Sequence, residues 1–257
     1  MQLRTFASSS RGNCTLISSS NTAILVDAGI SCRKMRQRLN TACLTPDDLS
    51  GILITHEHTD HISGLPVFLK HHPVPVYATP GTSLVLARKV PIIRDLLQPL
   101  PAGSDFAIGD LSIQSFSTSH DAADSVGYRI SNHQKIAVIA TDLGRVTSIV
   151  LDAVFGADLA LIEANHDEDW LRTGPYPYAL QTRILSDRGH LSNEASAEFA
   201  VSLAAAGTQT LLLAHLSPEN NSPERAQTVV QTALKRAHLT PELAVLPSDQ
   251  CSELFTV

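Results

Sequence analysis

The sequence predicts a mixed α/β fold built as one domain over residues 1–257. Three observations predict it. Short apolar runs of β type recur in both halves of the chain, and several end on a histidine or a carboxylate. Stretches of helical period follow these runs instead of alternating polarity. The composition, 43% hydrophobic over 257 residues, supports a large buried core, and the 5% of aromatics leaves Ala, Leu, Ile and Val to fill it. No linker, repeat or low-complexity tract divides the chain.

Taken in order, three β-type runs open the chain at Leu3 to Ala7, Cys14 to Ile17 and Ala23 to Val26. A basic helix is expected from Ser31 to Leu39. A strand around Ile52 follows, then a helix over Leu65 to His71, a strand over Val74 to Ala78 and a helix after Pro80. In the second half strands are expected at Leu111 to Ser117, Val126 to Ile130, Ile136 to Ala140 and Leu159 to Glu163, with an apolar strand at Leu211 to Ala214. Helices are expected at Asn193 to Ala206 and Pro223 to Ala237. The first carries Ala195, Phe199, Leu203 and Ala206 on one face. The second opens Ser222-Pro223-Glu224, a cap, a proline at the first helical position and an acid in the first turn.

The densest chemical signal is His56-Glu57-His58-Thr59-Asp60-His61, directly after the apolar Ile52-Leu53-Ile54-Thr55. Imidazole and carboxylate suit zinc, manganese and iron. His56 and His58 can share one ion, and Asp60 and His61 a second. Two ions roughly 3.5–4 Å apart clamp a hydrolytic reaction around a bridging water. Glu57 reads as solvated or structural.

A His-x-His-x-Asp-His run after a strand resembles the metallo-β-lactamase superfamily, and the resemblance extends over nearly the whole chain. It implies a four-layer αββα sandwich, where periodicity alone says only mixed α and β. It also implies further ligands, and His120, Asp142 and His215 stand where these are expected, each closing an apolar run. Asp142 takes the bridging position. Asp27, in Ile24-Leu25-Val26-Asp27-Ala28-Gly29, matches an early element whose carboxylate orients a ligand without binding metal. The implied cofactor is a pair of divalent ions, zinc or manganese with iron also suited. The segments Leu161 to Asp167, Gly189 to Asn193 and Ala214 to Asn221 resemble the bacterial YycJ or WalJ subgroup, associated with DNA exonuclease activity. In phosphodiesterase branches a histidine near a helix start gives the proton and a glutamate orients it. His190 and Glu163 match those places, and the alternative for His190 is an exposed neighbour of a helix cap. Catalysis is therefore expected from Asp60, His190 and Glu163. Spacing narrows the branch. The 22 residues from His120 to Asp142 leave no room for a tRNA-clamping arm. The 73 from Asp142 to His215 cannot hold the extra domain of ribonuclease J, and the 42 after His215 are too few for a glyoxalase II helical domain.

Substrate contacts are expected from Ser9 and Asn13 in the Ser8-to-Asn13 loop, which a plain turn explains equally well. Ser192, Asn193, Ser217 and Asn220 are candidates on the later motifs. Arg33 and Lys34, clustered with Arg36 and Arg38, could meet a phosphate backbone or form a solvated helix face. The net charge of −6 argues against tight nonspecific binding of a polyanion. His71, His72, His133 and His238 read as solvated, while His166 fits either reading. Cys14, Cys32, Cys43 and Cys251 show no Cys-x-x-Cys spacing and read as reduced thiols. No stretch approaches a membrane span, and the first residues lack a signal-peptide core. A cytoplasmic enzyme acting on DNA, with no obligate protein partner to be inferred, is the expectation. A 5′–3′ exonuclease leads. A hydrolase of small cyclic or alkyl phosphodiesters and a lactone or β-lactam hydrolase are the enzymatic alternatives. A metal-binding regulator without turnover is the third class, and the complete ligand set weighs against it.

Overall fold

Two seven-stranded sheets carry the fold in a computed structural model that describes residues 1–132 and 134–257. His133 lies outside the described residues. The first sheet takes β1 (Gln2–Ser9), β2 (Gly12–Ser18), β3 (Ala23–Val26), β4 (Leu49–Leu53), β5 (Val76–Ala78) and β6 (Leu97–Pro99). The second takes β7 (Asp105–Ile108), β8 (Leu111–Ser117), β9 (Val126–Ser131), β10 (Ile136–Ala140), β11 (Leu159–Glu163), β12 (Thr210–Ala214) and β13 (Glu242–Val245). A short β14 (Phe255–Thr256) returns to the edge of the first sheet beside β1. Helices α1 (Cys32–Thr41), α2 (Thr59–Ile62), α3 (Leu65–His71) and α4 (Pro80–Lys89) belong to the first half. The second half has α5 (Ser148–Val154), α6 (Glu168–Thr173), α7 (Tyr178–Ile184), α8 (Asn193–Ala205) and α9 (Pro223–Arg236).

Alternation along the inner strands explains the layering. Ile24, Val26 and Leu53 face Ile139, Leu161 and Leu212 in an apolar layer between the sheets. Their neighbours Leu25 and Ile52 point the other way, onto Met35, Leu39 and Phe68 of α1 and α3. On the second sheet Val138, Ile162 and Leu213 point outward onto Phe199, Leu203 and Val230 of α8 and α9. Successive side chains leave opposite faces of a strand, and strands covered on both faces read as continuous apolar runs. Three apolar layers between four structural ones make the αββα sandwich.

The parallel strands β3 to β6 and β10 to β13 end at one edge of each sheet. There the loops gather the ligand-type residues. The strand expected over Val74 to Ala78 begins only at Val76. The edge strands β6, β7, β13 and β14 and helices α5 to α7 were not expected; they are two to seven residues long with weak patterning. No helix among the described residues is long and apolar enough to cross a membrane.

Candidate metal centre and catalytic cavity

The loop after β4 delivers four donors at once. His56 follows the strand and His58 caps α2, whose single turn carries Asp60 and His61. The β3 loop must pass close beneath this turn. A Cβ on Gly29 would sit 1.6 Å from the Asp60 carbonyl oxygen, so no larger residue fits there. Three later donors come from separate strand ends: His120 beyond β8, Asp142 beyond β10 and His215 directly after β12.

These side chains converge in two sets. Ligand atoms of His56, His58 and His120 lie within 4.8 Å of one another, as do those of Asp60, His61 and His215. Asp142 stands between them. Its Oδ2 is 3.4 Å from His61 Nε2, while its Oδ1 is 3.5 Å from His215 Nε2 and 3.8 Å from His120 Nε2. The seven residues expected to bind metal are thus brought together.

Buried groups hold the donors in place from behind. His61 donates through Nδ1 to Asp27 Oδ2 at 2.8 Å, which aims Nε2 at the centre. The Thr55 hydroxyl donates to Asp27 and lies 3.1 Å from His56 Nδ1. On the other side, Glu163 Oε1 accepts from His190 Nδ1 at 2.6 Å and from His215 Nδ1 at 3.1 Å. The other oxygen of Glu163 accepts the backbone N–H groups of Leu143 and Leu191. Asn165 donates to the His215 carbonyl, and the Ser8 hydroxyl, from the first sheet, accepts the His215 N–H. Asp27, Asp142 and His215 all adopt left-handed backbone, with φ of 62, 58 and 56°. For a residue other than glycine this costs of order 1 kcal/mol each and persists where the surroundings over-determine it. All three sit where a strand turns abruptly into the centre.

The electrostatics follow from close packing of opposite charges. Burial alone would raise the Asp60 carboxyl, but His61 and His215 hold it far below the usual carboxylate range. Burial likewise opposes ionisation of Glu163, yet His190 and His215 bring it down to about 2. Burial would lower the His215 ring, and Asp142, Asp60 and Glu163 more than reverse this, raising it to about 10. His56 moves the other way, depressed first by burial and then by His61.

The donor set fits divalent ions. His56 Nε2 and Asp142 Oδ2 are buried without any hydrogen-bond partner, and orphaned buried polar atoms are costly unless something binds them. His58 Nδ1 and His120 Nε2 face each other at 3.2 Å. Their lone pairs repel unless a cation or proton sits at the site. Mixed imidazole and carboxylate donors suit zinc, manganese or iron.

A cavity of about 400 Å³ opens over this floor. His190, Asn165 and Ser217 line it, with Ser10 from the β1–β2 turn. Tyr176, Leu180, Arg183 and Ile184 of the α6–α7 segment form one wall, and Lys89 at the end of α4 joins another. Arg183 is ion-paired with Asp121, next to His120.

Several residues expected to contact substrate are buried or lie outside the lining of the metal cavity. Ser9 is 4% exposed and caps the turn by accepting from Arg11 N–H; it faces a neighbouring cavity. Asn13 donates to the Ser9 carbonyl and stands 3.1 Å from His61 Nε2, bracing the donor loop. Ser192 caps α8. Asn193 is fully buried and paired with Asn221, and Asn220 is 1% exposed behind Ser217. Ser217 alone of these reaches the metal cavity. Lys34 and Arg38 are both tied to Asp249, while Arg33 and Arg36 are exposed. Glu57 is structural: its carboxylate accepts from the Ala123 N–H at 2.8 Å and the Thr82 hydroxyl at 3.2 Å. His71 and His238 are exposed, as expected. His72 is half-buried against Phe68, contrary to expectation. His166 is buried, with both ring nitrogens unpartnered, and burial lowers it to about 4. Thr55, Lys89, Asp121, Tyr176 and Arg183 were missed. Thr55 abuts the motif and Asp121 follows His120, so both were findable; the other three carry no local signal.

A family profile described as a β-lactamase superfamily domain matches residues 22–216, which hold all seven candidate donors. The chain belongs to the metallo-β-lactamase superfamily. Within the superfamily, the chain is 36% identical over 230 residues to exodeoxyribonuclease YycJ of Bacillus anthracis, covering 89% of this chain and 87% of that one. It is 39% identical over 236 residues to exodeoxyribonuclease WalJ of Streptococcus pneumoniae serotype 2, covering 91% and 88%. Among solved structures, the metallo-β-lactamase fold protein YhfI of Bacillus subtilis superposes with a TM-score of 0.74 at 16% identity, covering 98% of this chain and 99% of that one. The short form of human tRNase Z gives 0.67 at 16%, over 98% and 99%. At such identities the two structures speak for the fold alone.

Proposed function

We propose that this chain is a divalent-metal-dependent phosphodiesterase acting on DNA, in its most specific form a 5′–3′ exonuclease. The observation that carries the reading is the carboxylate of Glu163, shared between His215, a candidate metal donor, and His190, which is free to face substrate. The identity to the two exodeoxyribonucleases over nearly the whole chain supports the same substrate class.

His56, His58 and His120 would hold one ion, Asp60, His61 and His215 the other, and Asp142 both. When bound, two ions of zinc, manganese or iron type supply Lewis acidity toward phosphoryl oxygens and activate water. The chain itself does the rest. Asp27 and Thr55 keep the first loop in register, and Glu163 keeps His215 turned inward. Glu163 accepts the Nδ1–H of His190, which leaves Nε2 facing the cavity. From there it hands a proton to the departing sugar oxygen, a poor leaving group without one. Asp60 completes the floor under the reacting phosphate. Free thiols at Cys14, Cys32, Cys43 and Cys251 support a reducing, cytoplasmic setting.

The test is a substrate panel with manganese or zinc: DNA labelled at either end, bis-p-nitrophenyl phosphate and a chromogenic cephalosporin. Release of nucleotides from the 5′ end, abolished by chelator, is expected. Turnover of the small diester or the cephalosporin with DNA untouched would overturn the reading.

A further inference from the structure

Several cations that the sequence offers for guiding a nucleic acid strand are paired, and Arg33 and Arg36, though exposed, do not line the metal cavity. Lys34 and Arg38 of α1 share Asp249, Arg11 is paired with Glu219 and Arg183 with Asp121. Lys89 is different. It is the last residue of α4, exposed, and it lines the cavity over the candidate metal floor together with His58, Asp60 and His190. Its ammonium donates to the Glu57 carbonyl at 2.9 Å, and Glu57 sits between His56 and His58. That bond fixes where the charge stands and uses one of three N–H donors. Among the described residues no carboxylate lies within 4.0 Å of Nζ. An exposed cation that lines the cavity, with no carboxylate of the described residues paired to it, is placed to receive an anion.

We propose that Lys89 is a specificity-determining residue that takes a phosphate of the DNA backbone next to the one being cleaved. The inference rests on the nuclease reading above and adds to it the path of the strand. The backbone enters between α4 and the α6–α7 wall, not along the basic face of α1. Each phosphate met by a lysine releases condensed counterions, so the contact has a salt signature that a merely structural lysine lacks.

The experiment compares wild type, Lys89→Gln and Lys89→Arg, each loaded with manganese, on end-labelled DNA at several salt concentrations. Metal content and thermal unfolding are measured alongside. Lys89→Gln is expected to raise KM for DNA about tenfold, the worth of one charged hydrogen bond, with a smaller change in kcat. The slope of log KM against log salt should flatten by about 0.7 for single strands or 0.9 for duplex. Metal content should match wild type, and Lys89→Arg should recover the slope. An unchanged slope in Lys89→Gln overturns the inference, as does loss of bound metal with a fall in kcat alone, which makes Lys89 a brace for the Glu57 loop. If wild type leaves DNA intact while cleaving bis-p-nitrophenyl phosphate, the nuclease reading itself fails, and this inference with it.

Discussion

The two halves of the molecule build one centre by different routes. The first sheet contributes four candidate donors from a single six-residue loop, His56 to His61. The second contributes His120, Asp142 and His215 from three strand ends far apart in sequence. Each half then places one buried carboxylate behind its imidazoles. Of the imidazoles, Asp27 accepts from His61 alone, whereas Glu163 accepts from both His215 and His190. The first half therefore only holds its donors. The second ties a donor to His190, the imidazole proposed to deliver a proton, so a change at Glu163 reaches ligation and proton delivery together.

Substitutions can break or sharpen this contrast. The largest effect is expected at Asp142, which faces both donor sets. Asp142→Ala should lower phosphodiesterase turnover by roughly 10⁴-fold or more, the scale for removing one member of a group that works as a unit. Elemental analysis should show fewer ions bound. Near-normal turnover would mean that the two sets do not depend on a shared carboxylate. Next comes His190→Ala, expected to cost roughly 10²–10⁴-fold on DNA and less on a p-nitrophenyl diester, with metal content intact. Equal losses on both substrates would remove His190 from proton delivery.

The carboxylates themselves give the direct comparison. Asp27→Asn should weaken metal affinity by about 10–100-fold and leave the ratio of DNA to p-nitrophenyl turnover alone once metal is saturating. Glu163→Gln should weaken affinity similarly and also shift that ratio against DNA. If both variants shift the ratio equally, the two halves are not functionally distinct.

The smallest effect concerns pH. In chelator-stripped protein, His215 is raised from 6.5 to about 10, because neighbouring carboxylates outweigh burial. Its folded value lies above its unfolded one. The stability it lends is thus full below pH 6.5 and lost as pH climbs toward 10. Denaturant unfolding of the stripped protein should show a lower midpoint at pH 9 than at pH 6.5, and His215→Gln should flatten the difference. A higher midpoint at pH 9 would contradict the assignment.

Much of this was legible in the sequence, for physical reasons. Strands buried on both faces must be apolar throughout, so β3, β4, β10, β11 and β12 announced themselves, and the polar residue ending each stood out by contrast. The resemblance to the metallo-β-lactamase superfamily then implied roles for Asp27, Asp142, Glu163 and His215 at those strand ends. Edge strands such as β6 and β13 bury little and carry no such pattern. Helices α6 and α7 are too short for a helical period, so the Tyr176 and Arg183 wall went unseen. The basic cluster on α1 illustrates the limit from the other side. Sequence shows Lys34 and Arg38 as free charges, but their partner, Asp249, lies more than two hundred residues away. Burial was equally hidden: Asn193 and Asn220 sit in motifs, yet serve packing.

Two donor sets joined by Asp142 call for two ions per chain. Protein purified without chelators and titrated with zinc or manganese should saturate at two ions per chain by elemental analysis. His56→Ala and His61→Ala should each weaken binding at one of the two sites more than at the other. Saturation at a single ion, or at none, would contradict it.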